Sequence, residues 1–198
     1  MRFSKTVDFK KINAYIAKNQ SVRRACTNAV NKKVQLAKNQ LILEFSSHPV
    51  SNEIQSGPSA SNSSGTLNGY GNLFSFIGFA AGQNPVDQWV NFLKRHIVLK
   101  ETQRSDAKID SFTISFEIPN ISSIELVNYA SMPWEPGRSW IMGIEKGISG
   151  FSSYISKSMG RSGGGIQSKY NVRGGQFSRR SYWTKMWNNF TKDISKQI

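Results

Sequence analysis

Apolar residues recur along this chain with two different periods, and each change of period marks an element. Val22, Cys26, Val30, Val34, Ala37, Leu41 and Phe45 follow one another at three- and four-residue intervals. That spacing is one stripe of an α-helix kept through about seven turns. Ser21 stands where an N-cap is expected, and His48-Pro49 where the helix must stop. Lys32, Lys33 and Lys38 are read as lying off the stripe, which gives the helix a basic back. Ahead of it, Phe9, Ile12 and Ile16 share helical spacing in a short first segment, so residues 1–20 are read as an N-terminal arm.

The period then changes. Gly71-Asn72-Leu73-Phe74-Ser75-Phe76-Ile77-Gly78-Phe79 carries three Phe, one Leu and one Ile in nine uncharged residues, and it predicts a buried strand. Asn84-Pro85 starts a helix in which Val86, Val90, Leu93 and Ile97 share a face, with Trp89 beside it. Phe112, Ile114, Phe116 and Ile118 alternate with Ser111, Thr113, Ser115 and Glu117, a half-buried strand stopped by Pro119. Ile121, Ile124 and Val127 suggest a short helix or turn. Met132-Pro133-Trp134-Glu135-Pro136-Gly137-Arg138-Ser139-Trp140 leads into a helix at 141–146. Further strands are read at 148–155 and 166–172, with glycines where the backbone must bend. Trp183, Met186, Trp187, Phe190 and Ile194 form a C-terminal amphipathic helix capped near Ser181.

This order predicts one α+β domain over residues 1–198, with the long N-terminal helix and the C-terminal helix packed on an antiparallel β-sheet. Two stretches break the pattern. Residues 56–71 are low in complexity and rich in Ser, Gly and Asn, a flexible loop when alone, which a neighbouring subunit would hold. Residues 157–165, which include Gly160-Arg161-Ser162-Gly163-Gly164-Gly165, form a basic glycine-rich loop.

Composition changes the picture in one respect. Hydrophobic residues make up 38% of the chain and aromatics 12%, enough to build a core. The formal charge of +14 and the pI near 10.1 are unusual. A surface of that kind meets polyanions: nucleic acid, anionic lipid or an acidic protein neighbour. From Lys157 to Lys192 there are eight Lys/Arg and no acid. Lys157, Arg161, Lys169, Arg173, Arg179, Arg180 and Lys185 are interleaved there with Tyr170, Phe177 and Tyr182. Such aromatics either stack on single-stranded bases or serve as ordinary packing residues.

Catalytic readings find little support. His48 precedes a proline at a helix end, His96 lies in a basic helix, and neither has a Cys, Asp or second His at triad or metal spacing. Cys26 is the only cysteine, so neither an intrachain disulfide nor a cysteine-based zinc cluster is expected. Gly69-Tyr70-Gly71 lacks the third glycine of a dinucleotide fingerprint. Gly160 to Gly165 lacks the Lys and Ser/Thr of a phosphate loop. No cofactor and no metal are expected. The N-terminus lacks an apolar signal core and no window approaches a membrane span, so neither classical export nor a membrane partner is expected.

The chain resembles the virion neck and tail-completion proteins of tailed bacteriophages. The resemblance rests on the long basic helix, its Val50-Ser51-Asn52-Glu53-Ile54-Gln55-Ser56-Gly57 exit and the Gly71 to Phe79 motif. It continues through the Met132 to Trp140 motif, Gly143-Ile144-Glu145-Lys146-Gly147-Ile148-Ser149-Gly150, Arg161-Ser162-Gly163 and the closing aromatic helix. It covers most of residues 20 to 195, and its two aromatic motifs are its most specific part. It implies a structural subunit, not an enzyme, that forms a homo-oligomeric ring between the portal/adaptor complex and the tail, with genomic dsDNA passing through. Assembly in the host cytoplasm and residence in the virion follow from it. On that reading Lys32, Lys33, Lys38, Arg161, Lys169, Arg173, Arg179 and Arg180 are candidates to face DNA or an acidic neighbour. Trp134, Arg138 and Trp140 are candidate oligomer or partner contacts. A stand-alone nucleic-acid-binding protein and a tail terminator remain the alternatives.

Overall fold

The computed structural model describes residues 19–69, 71–102, 115–117, 120–147 and 177–197. Within them the chain is mostly helical, with a long N-terminal helix and two short antiparallel strand pairs. Helix α1 spans Gln20–Ser47. Its N-cap is Asn19, whose side chain accepts the Ser21 N–H at 2.9 Å, so the helix starts two residues before the expected Ser21 cap. His48 ends it and also starts α2, Pro49–Gln55: its Nδ1 accepts the Val50 N–H at 3.2 Å while Pro49 takes the first helical position.

The run at Leu73 to Phe79 is a correction. It forms a short helix, α3 (Leu73–Ile77), and not a buried strand. The reason is local. Asn72 accepts the Ser75 N–H at 2.8 Å as an N-cap, and Gly78 adopts a left-handed φ of 87° just past the end, the conformation that stops a helix. The expectation of burial holds for Leu73, Phe74 and Ile77.

Helix α4 is Pro85–His96, with the expected Val86, Val90, Leu93 and Ile97 buried together with Trp89. Strand β1 (Lys100–Thr102) pairs antiparallel with β2 (Ser115–Glu117), Glu101 opposite Phe116. Of the predicted strand at 112–118, only 115–117 fall within the described residues. Helix α5 (Ser123–Tyr129) opens with a reciprocal capping box between Ser122 and Glu125. A hairpin of β3 (Ser131–Met132) and β4 (Glu135–Ser139) turns at Pro133-Trp134 and runs into α6, Trp140–Lys146. Helix α7, Trp183–Gln197, closes the chain.

Helices α1 and α7, expected on a sheet, pack against each other among the described residues, and α7 also meets α6. The join is aromatic. Phe45 stacks on Tyr182 at 5.2 Å, Trp183 meets Trp89 edge-on at 5.1 Å, and Trp187 lies 5.5 Å from Trp183. Rings of this size supply much of the buried apolar area and favour such offset and edge geometries. Leu41, Phe45, Val50, Ile54, Leu73, Phe74, Trp89, Leu93 and Trp140 continue this core through α1, α2, α3, α4 and α6.

Segment 56–69 has an internal source of order that its composition conceals. The Glu53 carboxylate, 1% exposed, accepts Ser64 N–H at 2.8 Å, Leu73 N–H at 2.7 Å and Asn62 Nδ2 at 2.9 and 3.1 Å. Asn62 in turn accepts the N–H groups of Leu67 and Gly69 through Oδ1 at 3.0 and 3.1 Å. The loop is wrapped around a buried anion. Residues 1–18 of the N-terminal arm, the basic loop at 157–165 and the predicted strands at 148–155 and 166–172 lie outside the described residues.

Candidate functional site

A cationic feature is built at the corner where α1, α2 and the entry to α7 meet. Tyr182 anchors it. This side chain is fully buried, its hydroxyl bonds the Ser51 hydroxyl, and its ring lies 4.8 Å from that of His48. Burial pushes its ionisation far above the usual phenol range, with the Glu145 charge adding and the Ser51 hydrogen bond opposing, so it stays neutral.

Glu145 holds the start of α7. One of its oxygens accepts the N–H groups of Tyr182 and Thr184 at 3.1 and 2.6 Å, and the other accepts the Thr184 hydroxyl at 2.5 Å. An acid on the exposed N–H groups of a helix start is where the helix dipole favours it. The preceding segment is tied down as well, by Ser178 N–H on Thr66 O at 2.8 Å and Arg180 N–H on Ile144 O at 3.3 Å.

Those anchors present Arg179, Arg180 and Lys185 to solvent. Arg180 Nη2 donates to Gly65 O at 3.4 Å, which joins the wrapped loop to this corner. Arg179 lies across Gly147, where a Cβ would come within 3.2 Å of its Nε and the φ is 96°. His48 reports the field: burial first, then the charges of Arg180 and Lys185, holds its imidazole below the ordinary histidine range. Arg180 and Lys185 thus act together on His48, while Arg179 lies over the end of α6.

The other expected contact residues fall in different places. Lys32 and Lys33 are exposed on α1, but they sit about four turns, or ~22 Å, from His48 along the helix, so they do not share the corner. Lys38 is a correction. It lies on the buried stripe between Val34 and Leu41, and its ammonium donates to Lys94 O at 3.1 Å and Ile97 O at 3.2 Å. It therefore caps the end of α4, with burial lowering its pKa, instead of joining a free basic back. Arg161, Lys169 and Arg173 lie outside the described residues.

Of the residues assigned to partner contacts, Trp140 is corrected: at 1% exposure it is part of the core. Trp134 is half-buried and donates from Nε1 to Ile77 O at 2.7 Å, pinning the hairpin to the end of α3. Arg138 pairs with Glu135 at 2.9 Å, three residues away along β4.

Three features escaped the sequence reading. Leu36 and Leu43, each 61% exposed, stand one heptad apart on the outer face of α1, in line with exposed Ala29. Their seven-residue spacing was the available signal, hidden by the stronger inner stripe. His96 Nε2 lies 3.0 Å from Glu125 Oε1 and so links α4 to α5. The Ser122 N–H is the main cause that holds the Glu125 carboxyl below its usual range. Glu145 and Glu53, which organise the corner and its loop, give no local signal because their partners are distant in the chain.

Among the described residues no group of three His, Cys, Asp or Glu is placed to hold a metal ion, and no helix is long and apolar enough to cross a membrane. No family model, curated protein or solved structure matches this chain.

Proposed function

We propose that this chain is a structural subunit of a tailed-phage neck, a tail-completion protein that assembles as a homo-oligomeric ring joining the head connector to the tail. Genomic dsDNA passes through the ring, and the mature protein resides in the virion. The observation that carries this reading is the group of exposed cations Arg179, Arg180 and Lys185 at the entry to α7, whose backbone is anchored by Glu145 and Tyr182, on a chain of charge +14. Fixed cations of one sign suit a fixed polyanion or an acidic neighbour, which relieves their mutual repulsion. The outer face of α1, with Leu36 and Leu43 exposed, is the kind of apolar strip that a neighbouring subunit covers. The reading also keeps an antiparallel sheet beneath the terminal helices, supported by the alternating sequence at 112–118.

The test is charge reversal. Arg179→Glu/Arg180→Glu should leave the isolated chain folded by circular dichroism and sharply reduce the yield of complete, infectious particles. Arg161→Glu/Arg173→Glu extends the test to the basic glycine-rich loop. Normal particle yield from both double variants contradicts the proposal. A stand-alone nucleic-acid-binding protein would instead bind duplex DNA as a monomer, with affinity falling steeply as salt rises.

A further inference from the structure

A second site lies away from the cationic corner, between α4 and the α5–β3 junction. It is a cleft of about 350 Å³ with Trp140 and Phe79 in its wall and with Gln88, Asn91, Arg95 and Asn128 around it. We infer that this cleft binds an extended polypeptide segment through its main chain, with a carboxylate of the segment at the Arg95 end.

The spacing supports this. Gln88, Asn91 and Arg95 follow at i, i+3 and i+7 on one face of α4, so they rise about 10 Å from first to last. An extended chain covers that distance in about three residues. Each peptide unit offers one donor and one acceptor, and a primary amide side chain offers both in return. All four polar side chains are exposed, and no hydrogen bond ties the side-chain amides of Gln88, Asn91 or Asn128 to the described residues. The Arg95 Nε donates to Asn91 O at 3.2 Å, which orients the guanidinium and leaves its two Nη groups for a ligand. Among the described residues that line the cleft there is no acid, and Arg95 supplies the charge, which selects an anion. The volume is at the small end of ligand clefts, room for a few residues of chain and not for a folded domain. This inference stands apart from the neck reading, since a monomer would carry the same cleft.

The experiment uses the full chain and the peptide Thr-Ala-Thr-Ala-Glu, with rhodamine on its N-terminal amine and a free C-terminus, followed by fluorescence anisotropy. Saturable binding is expected. Gln88→Leu/Asn91→Leu, which leaves net charge unchanged, should weaken it at least about tenfold, as should Arg95→Gln. Matching circular dichroism of each variant shows that the fold is kept. Three results overturn the inference: no saturable binding, equal affinity for wild type and the Gln88→Leu/Asn91→Leu variant, or displacement of the peptide by maltotriose or a thymidine dinucleotide at equal concentration. The last would assign the cleft to a sugar or a base.

Discussion

Replacing Glu53 by Ala should destabilise the protein more than any change at the exposed lysines, because the carboxylate organises a loop that has few other reasons to be ordered. Its side chain is 1% exposed and serves the N–H groups of Ser64 and Leu73 and the Asn62 amide. A hydrogen bond to a charged group contributes about 1.5–3 kcal/mol, and a buried donor left unpaired costs about 1–3 kcal/mol. Ser64 can regain water more readily than Leu73, whose N–H is buried. Taking the low end of that range for the two N–H bonds gives about 3 kcal/mol, and the Asn62 amide raises it to about 5 kcal/mol, comparable to removing one member of a buried ionic cluster. For a chain of this size that lowers the melting temperature by roughly 6–20 °C. Glu53→Gln keeps one acceptor oxygen for Leu73 but turns an NH2 toward Ser64 or Asn62, and it should fall about midway. Thermal unfolding supplies the magnitude. Amide hydrogen exchange supplies the location, with Leu73 N–H losing protection in Glu53→Ala. A loss of less than about 1 kcal/mol with Leu73 still protected would refute the wrapped-anion account, because that is the range of ordinary surface changes.

Three further outcomes follow from single contacts. Gly78→Ala must place a Cβ at a φ of 87° and 3.2 Å from Trp134 Cδ1, so it should cost about 1–2 kcal/mol in a thermal melt; an unchanged melt would show that Gly78 does not end α3 as described. Tyr182→Phe leaves the buried Ser51 hydroxyl without its partner and should cost about 1–2 kcal/mol, while Tyr182→Phe/Ser51→Ala should recover part of that loss. His48 is held below the ordinary histidine value of about 6.5, so the unfolded chain binds a proton there that the folded chain resists. Its share of stability is present above about pH 6.5 and is lost as pH falls toward the folded value. His48→Asn, which keeps a side-chain acceptor for Val50 N–H, should flatten that part of the stability–pH curve, and parallel curves for the two proteins would show that His48 is not the group responsible.

Helices α1, α4 and α7 were legible because each carries an uninterrupted stripe that only one period fits, from Val22 to Phe45, from Val86 to Ile97 and from Trp183 to Ile194. The Leu73 to Phe79 run was not, since an apolar stretch with little polar interruption fits a buried strand and a buried helical turn equally well. The deciding marks were its flanks, Asn72 as a cap and Gly78 as a left-handed stop. Lys38 could have been placed. It stands four residues after Val34 and three before Leu41, inside the stripe, and a long stem with a charged tip can cross an apolar face to reach carbonyl oxygens. The composition of 56–71 signalled a loop but concealed its anchor, because Glu53 precedes it inside α2 and looks like any helix acid. At the candidate site, Arg179 and Arg180 were visible as charge. Their fixed positions were not, since those depend on Glu145 and Gly147 from another helix end and on Gly65 from the wrapped loop.

The central claim is that this cationic helical body works as one of several identical copies closed around a channel. Native mass spectrometry of the purified full chain, at near-physiological salt, tests it most directly. A single closed oligomer of fixed copy number, dissociated by Leu36→Glu/Leu43→Glu without loss of helix, is the predicted result. A chain that stays monomeric at every concentration up to its solubility limit would contradict it.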